Sequence, residues 1–192
     1  MRDRDIRARL RADLVAQHAG DSTTRIIDEL GLLQGAARVD LAVVNGSLAA
    51  FEIKSEFDTL RRLPAQVEAY SQVFDSVVIV VAGGHVKGVR ALVPPWWGIS
   101  AVSEQDGQPA IEIRRKARPN PKPVPRARAE LLWRPEVVAL LESRGLAEGL
   151  RSKPRRELWD ALVGALDPLE LAREVREALR ARQGWRAGPR LP

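Results

Sequence analysis

The sequence predicts an α/β fold, a mixed sheet flanked by helices and followed by a helical C-terminal region, and three observations point there. Residues 38–54 read as two apolar strands around Asn45-Gly46, a strong short-range hairpin signal. Val77-Val78-Ile79-Val80-Val81-Ala82 is a continuous β-branched run, typical of a strand covered on both faces. Around these lie segments whose apolar residues recur at helical spacing. At 192 residues the chain is long enough for one core domain and a smaller addition.

Taken in order, residues 3–17 form a helix with Ile6, Leu10 and Leu14 along one side. Asp21 or Ser22 caps a second helix, which turns Ile26, Ile27 and Leu30 inward and ends at Gly31. The hairpin occupies residues 39–54. Pro64 suits the first turn of a helix running to about Asp75, with Val67, Tyr70, Val73 and Phe74 at helical spacing. The strand at 77–82 follows, Gly83-Gly84 breaks it, and a short helix spans 85–92 until Pro94-Pro95. Residues 99–103 and 110–114 form short strands around a turn at Asp106-Gly107. Pro119, Pro121, Pro123 and Pro125 mark an extended, basic connector. Helices near 128–144, 154–166 and 168–182 complete the chain, the last two opened by Pro154 and Pro168. The expected organisation is a core over residues 1–116, a linker over 117–127 and a helical region over 128–192.

Composition narrows the chemistry. There is no cysteine, which excludes disulfides and thiolate zinc sites, and His18 and His85 are the sole histidines, which argues against a histidine-rich metal site. The N-terminus alternates Arg and Asp without an apolar run, unlike a signal peptide or membrane span, so a cytoplasmic protein is expected. Between Arg114 and Arg156 thirteen Lys or Arg stand against four Glu, so that segment carries +9 of a formal net charge of +6 and the rest −3. Such asymmetry suggests a polyanion partner for the second half, the plainer alternative being a solvated linker and helix surface. Arg151, Lys153, Arg155 and Arg156 flank Pro154 at a helix start, where backbone donors and the helix dipole favour an anion. Arg61 and Arg62, just before the Pro64 helix, are candidates to clamp phosphate. Trp96 and Trp97 more readily close the end of a core than stack on bases, and Trp133 and Trp159 fall at apolar helical positions.

Three charged residues interrupt the hairpin: Asp40 in its first strand, Glu52 and Lys54 in its second. Glu52 and Lys54 project from one face, roughly 6.6 Å apart along the strand. A two-residue turn at Asn45-Gly46 would set Asp40 opposite Phe51 and throw Asp40 and Glu52 onto opposite faces. A three-residue loop exchanges the faces of a strand. Asp40 then joins Ala42, Ala50, Glu52 and Lys54, while Val39, Leu41, Val43, Ala49, Phe51 and Ile53 make a uniformly apolar second face. The hydrophobic pattern selects this odd-length loop, with Gly46 in the left-handed region as a bulge. Charges converging on an apolar hairpin need compensation. A hydrated Mg²⁺ or Mn²⁺ supplies it, since Mg²⁺ is held by one or two carboxylates and keeps water and phosphate oxygens as its other ligands.

The order Glu29, Asp40, Glu52-Ile53-Lys54, then Gln66-Val67-Glu68-Ala69-Tyr70, resembles the PD-(D/E)XK nuclease superfamily, the restriction-endonuclease-like fold. In its RecB-like members a Gln-x-x-x-Tyr helix follows the Glu-x-Lys strand. The resemblance covers roughly residues 22–115, and at the "PD" pair Val39 stands in place of proline. It implies that Asp40, Glu52, the Ile53 carbonyl and a helical Glu29 hold the metal, that Lys54 is the catalytic lysine, and that Gln66 and Tyr70 complete the site. With the Leu60-Arg61-Arg62-Leu63-Pro64-Ala65-Gln66 stretch and Trp96-Trp97-Gly98, the chain is similar to a small bacterial and phage subgroup. The expected activity is metal-dependent hydrolysis of phosphodiester bonds, with DNA the expected substrate. The alternatives are an inactive nucleic-acid-binding adaptor on the same scaffold and a module whose C-terminal helices dock a protein partner.

Overall fold

The computed structural model describes residues 2–183, so the end of the expected helical region, 184–192, lies outside the described residues. Six strands form one mixed sheet in the order β1-β2-β3-β4-β5-β6. They are β1 (Arg25–Leu32), β2 (Ala37–Val44), β3 (Leu48–Lys54), β4 (Ser76–Ala82), β5 (Gly98–Gln105) and β6 (Gln108–Arg115). The first three strands are antiparallel, β3, β4 and β5 run parallel, and β6 returns antiparallel. Parallel neighbours need crossovers. α2 (Leu63–Val73) connects β3 to β4, and α3 (Val86–Leu92) connects β4 to β5. Asp106 and Gly107, both at positive φ, make the two-residue turn between β5 and β6.

α1 (Asp3–Gln17) lies on one face of the sheet, where Ile6, Leu10 and Leu14 bury against Leu41, Val43, Ile53, Val80 and Val102. The other face carries α2, α3 and the C-terminal helices α4 (Pro125–Ala129), α5 (Arg134–Glu142), α6 (Arg155–Ala165) and α7 (Pro168–Ala181). Leu132, Trp159, Leu171 and Val175 of these helices share one apolar cluster with Ile27, Leu32, Val39 and Ala50 of the sheet. The proline-rich segment is extended, as its sequence implies, and it is docked. Asn120 donates its side-chain amide to the Ser71 and Phe74 carbonyls, each at 2.8 Å, satisfying acceptors that the end of α2 leaves open. Val124 N–H bonds the Gln72 carbonyl at 2.8 Å, and buried Arg128 pairs with Asp75. Among the described residues no helix is long and apolar enough to cross a membrane.

Three expectations need correction. The helix expected from Asp21 to Gly31 is the strand β1, laddered to β2 from Arg25↔Val44 to Leu32↔Ala37. The capping chemistry is real but closes a turn: the Asp21 carboxylate accepts from Thr23 N–H at 2.8 Å and from the Thr23 and Thr24 hydroxyls at 2.6 Å. The helical spacing of Ile27 and Leu30 has a separate origin. Glu29 sits at φ +54, which reverses the faces of the strand, so residues three apart point the same way. β2 reverses opposite it, which puts Val39 in the cluster with Ala42 and Val44, not on the face of Leu41 and Val43. Finally, the β2–β3 loop is the expected three residues, but Gly46 has no positive φ. Asn45 closes the loop instead, its side-chain oxygen accepting Ser47 N–H at 3.0 Å while its own N–H donates to the Ser47 carbonyl at 2.9 Å.

Leu10 anchors the single described helix on its face of the sheet. Leu10→Ala should lower the free energy of unfolding by about 2–5 kcal/mol, the usual cost of emptying a buried leucine site, read by denaturant titration. A change under about 0.5 kcal/mol would mean that α1 contributes little to this core.

Candidate active site

The pairing Leu41↔Phe51, Ala42↔Ala50, Val44↔Leu48 carries the register forward so that Asp40 approaches the level of Glu52. The ladder stops there, and the Asp40 side chain takes over from the backbone. Its Oδ2 accepts the Ile53 N–H at 2.8 Å. Its Oδ1 accepts from Arg7 of α1, whose other guanidinium nitrogen donates to the Asp40 carbonyl at 3.1 Å.

Glu52 and Lys54 share the inner face of β3, under α2, and their side chains are each 4% exposed. The Lys54 Nζ donates to Glu52 Oε1 at 2.6 Å. α2 places Gln66 and Tyr70 one turn apart on the face that meets the sheet. Gln66 Nε2 donates to Glu52 Oε1 at 2.5 Å, and the Tyr70 hydroxyl donates to Glu52 Oε2 at 2.7 Å. The Tyr70 ring is fixed by Trp97, stacked at 6.0 Å and 9°, and by Phe74, edge-on at 5.9 Å. Trp97 is fully buried, so the packing role expected of the tandem tryptophans is the one it has. Gln66 Oε1 is buried without a hydrogen-bond partner among the described residues. In the loop after Lys54, Asp58 accepts from Ser55 N–H at 2.9 Å and from its hydroxyl at 2.6 Å, which fixes the chain as it leaves β3.

Electrostatics follow from this crowding. Burial, and then the nearby Asp40 carboxylate, raise the Glu52 pKa, while Lys54 and the hydrogen bond from Tyr70 pull it down; the net direction is up. Burial and then Glu52 hold the Tyr70 hydroxyl far above its ordinary range, so it serves as a donor. Burial also raises Asp3, against the pull of Arg7, with Asp40 and Asp58 adding to the rise.

Glu52, Lys54, Gln66 and Tyr70 are therefore brought together. Asp40, expected on their face, is instead bound to the Ile53 N–H and to Arg7 of α1, the helix on the opposite face, close enough for its charge to act on Glu52. Glu29 is not on a helix; it is half-exposed on β1 and pairs with Arg38 at 3.3 Å. The acid that α1 carries toward Asp40 is Asp3, which with Arg7 escaped the sequence reading. The signal was present, since residues 3 and 7 border the stripe of Ile6, Leu10 and Leu14 one turn apart. Arg61 and Arg62 are exposed on a 3₁₀ turn (Leu60–Arg62) leading into α2. The four C-terminal cations lie elsewhere: Arg151 pairs with Glu142, Lys153 with Glu157, Arg155 stacks over Trp159 at 5.3 Å, and Arg156 is exposed. Trp159 is core, as expected, whereas Trp133 is 37% exposed beneath the Arg182 guanidinium.

Fold and site together define an α/β protein with a buried carboxylate–lysine centre at one face of a mixed sheet. A family model described as Bacteriophage P4 protein cII matches residues 1–186, and the chain belongs to that family. Protein cII of Enterobacteria phage P4 is 36% identical over 97 residues, a stretch that spans 50% of this chain and 37% of that protein. A solved structure of a protein of unknown function from Silicibacter pomeroyi is similar over 73% of this chain and 88% of its own, with 24% identity and a TM-score of 0.42.

Because the folded pKa of Glu52 lies above its ordinary 4.5, its contribution to stability is full below that value and is lost as pH rises through the folded pKa. The stability of the wild-type protein relative to Glu52→Gln should therefore fall as pH increases from 4.5, measured by denaturant unfolding across a pH series. A relative stability that rises with pH would contradict the assignment.

Proposed function

We propose that this chain is a metal-dependent nuclease with a restriction-endonuclease-like core, hydrolysing phosphodiester bonds, with DNA as its substrate. The observation that carries the reading is the buried cluster of Glu52, Lys54, Gln66 and Tyr70 on β3 and α2, with the Asp40 carboxylate of β2 bound to the backbone N–H of the neighbouring Ile53. The element order α1-β1-β2-β3-α2-β4, with β3 and β4 parallel, supports the same core. Surface ion pairs need no such apparatus, whereas burying a carboxylate and an ammonium together is costly and calls for a functional reason.

The residues fit Mg²⁺ or Mn²⁺. The donors on offer are hard oxygens, the Asp40 and Glu52 carboxylates and the Ile53 carbonyl, with the partnerless Gln66 oxygen beside them to accept from a bound water. Asp40, Glu52 and the Ile53 carbonyl would hold the ion, which supplies neutralisation of the charge that develops on a phosphoryl group. The protein residues do the rest. Lys54 faces the phosphate as a hydrogen-bond donor and orients the attacking water. Tyr70 and Gln66 are positioning residues that fix the Glu52 rotamer. Arg7 must release Asp40 before its Oδ1 is open.

One observation favours a second reading, an inactive nucleic-acid-binding adaptor. Both Asp40 oxygens already have partners, in Arg7 and the Ile53 N–H. Cleavage decides between them. Plasmid, linear and branched DNA are incubated with wild-type protein in Mg²⁺, Mn²⁺ or EDTA, alongside Lys54→Ala and Asp40→Asn. The nuclease reading expects cation-dependent cleavage that falls at least about 100-fold in Lys54→Ala, the scale for loss of one group acting in the transition state. Equal trace cleavage by all three proteins would identify a contaminant and leave the adaptor.

A further inference from the structure

The basic surplus of the second half is mostly spent inside the protein. Arg126 pairs with Glu130 and Asp160, Arg128 with Asp75, and Arg144 with Glu170 and Glu174. Arg134 donates to the carbonyls of Arg151 and Lys153, and Arg151 and Lys153 themselves pair with acids. These side chains are held by the protein's own acids and carbonyls.

One group of the cations that form no ion pair among the described residues lies elsewhere. Arg61 and Arg62 lie on the turn before α2, Lys87 and Arg90 on α3, and Arg118 just past β6, all exposed. These elements touch. A Cβ at Gly88 would stand 3.0 Å from Leu60 Cδ1, so α3 packs on the turn that carries Arg61. Beyond α3, Arg115 donates to the Trp97 carbonyl at 2.7 Å and the Pro94 carbonyl at 2.9 Å, and Arg118 N–H to the Trp96 carbonyl at 2.8 Å. Burial lowers the Arg115 pKa, and Arg90 and Arg118 lower it further. Like charges held close together repel one another, and an anion bound among them would relieve that repulsion.

We propose that Arg61, Arg62, Lys87, Arg90, Arg115 and Arg118 form a band that binds the phosphate backbone of a nucleic acid. The turn at one end of the band runs directly into α2 and Gln66, so a backbone lying along it leads to Glu52. That last step rests on the nuclease reading; the binding itself does not. The band replaces the C-terminal helix surface as the polyanion site that the charge distribution implied.

The test is fluorescence anisotropy of a labelled DNA duplex in EDTA, where cation-dependent cleavage is silent, over a series of salt concentrations. The triple variant Lys87→Gln, Arg90→Gln, Arg118→Gln changes exposed side chains only, and its thermal unfolding checks that it folds. It should lose affinity by about tenfold or more and flatten the slope of log affinity against log salt by up to about 2.7, at roughly 0.9 per lost phosphate contact. The triple variant Arg151→Gln, Lys153→Gln, Arg156→Gln should change affinity by less than about twofold, since two of its three cations are already paired. The proposal is overturned if wild-type protein fails to bind at low salt, if the first variant binds as wild type does, or if the second loses more than the first. Binding through the band without cleavage in Mg²⁺ overturns the nuclease reading alone; cleavage with an unaltered first variant overturns the band alone.

Discussion

Two opposite charges on the inner face of β3, Glu52 and Lys54, are removed from water beneath a helix, and the surrounding structure is arranged around that fact. Taking a carboxylate and an ammonium group out of solvent costs several kcal/mol each before their attraction is counted. Their 2.6 Å contact offsets part of this, and the remaining lone pairs of Glu52 are met by Gln66 and Tyr70. Those two donors fix how α2 sits on the sheet. Trp97 and Phe74 then fix the Tyr70 ring, and Asn120 of the connector fastens the far end of α2. A pair of apolar side chains would hold β3 to α2 at least as well. The retention of charge in this position is the physical ground for assigning it chemistry.

Asp40 is the counterpart on the opposite strand, and the backbone is bent to present it. Glu29 at positive φ reverses the faces of β1, β2 reverses with it, and the hydrogen-bond ladder to β3 ends at Leu41. Non-glycine residues adopt that conformation at a cost of order 1–3 kcal/mol, which the surrounding sheet must overcome. The outcome is a carboxylate that accepts the Ile53 N–H from one side and the Arg7 guanidinium from the other. α1, which reads as a plain amphipathic helix, thus has two duties: its stripe of Ile6, Leu10 and Leu14 closes a core, and its flank of Asp3 and Arg7 makes an ion pair with Asp40.

Much of this was legible in the sequence, for local reasons. The hairpin register followed from period-two alternation, because sliding by one residue would have exposed a uniformly apolar face. The run 77–82 announced a doubly covered strand because nothing polar interrupts it. The strand β1 was not legible. Its left-handed residue sets Ile27 and Leu30 on one face at a spacing of three, which reads as helix, and Asp21 caps a turn with the same groups that cap helices. The loop at Gly46 misled because Asn45 supplies from its side chain the closure that a left-handed glycine otherwise gives. Counting charges located a basic half but not all of its partners: Glu170 and Glu174, which lie outside that segment, come to Arg144 through folding. Arg7 and Asp3 belong to the site through a contact thirty-three residues away, beyond any local pattern.

The central question is whether Asp40 and Glu52 act as one centre for a hard cation. Isothermal titration of the purified protein with Mn²⁺, without nucleic acid, addresses this directly. One weak site is predicted for the wild-type protein, lost in Asp40→Asn and intact in Glu29→Gln, because few protein oxygens are on offer and Glu29 belongs to Arg38. Binding that persists unchanged in Asp40→Asn, or that vanishes in Glu29→Gln instead, would contradict it.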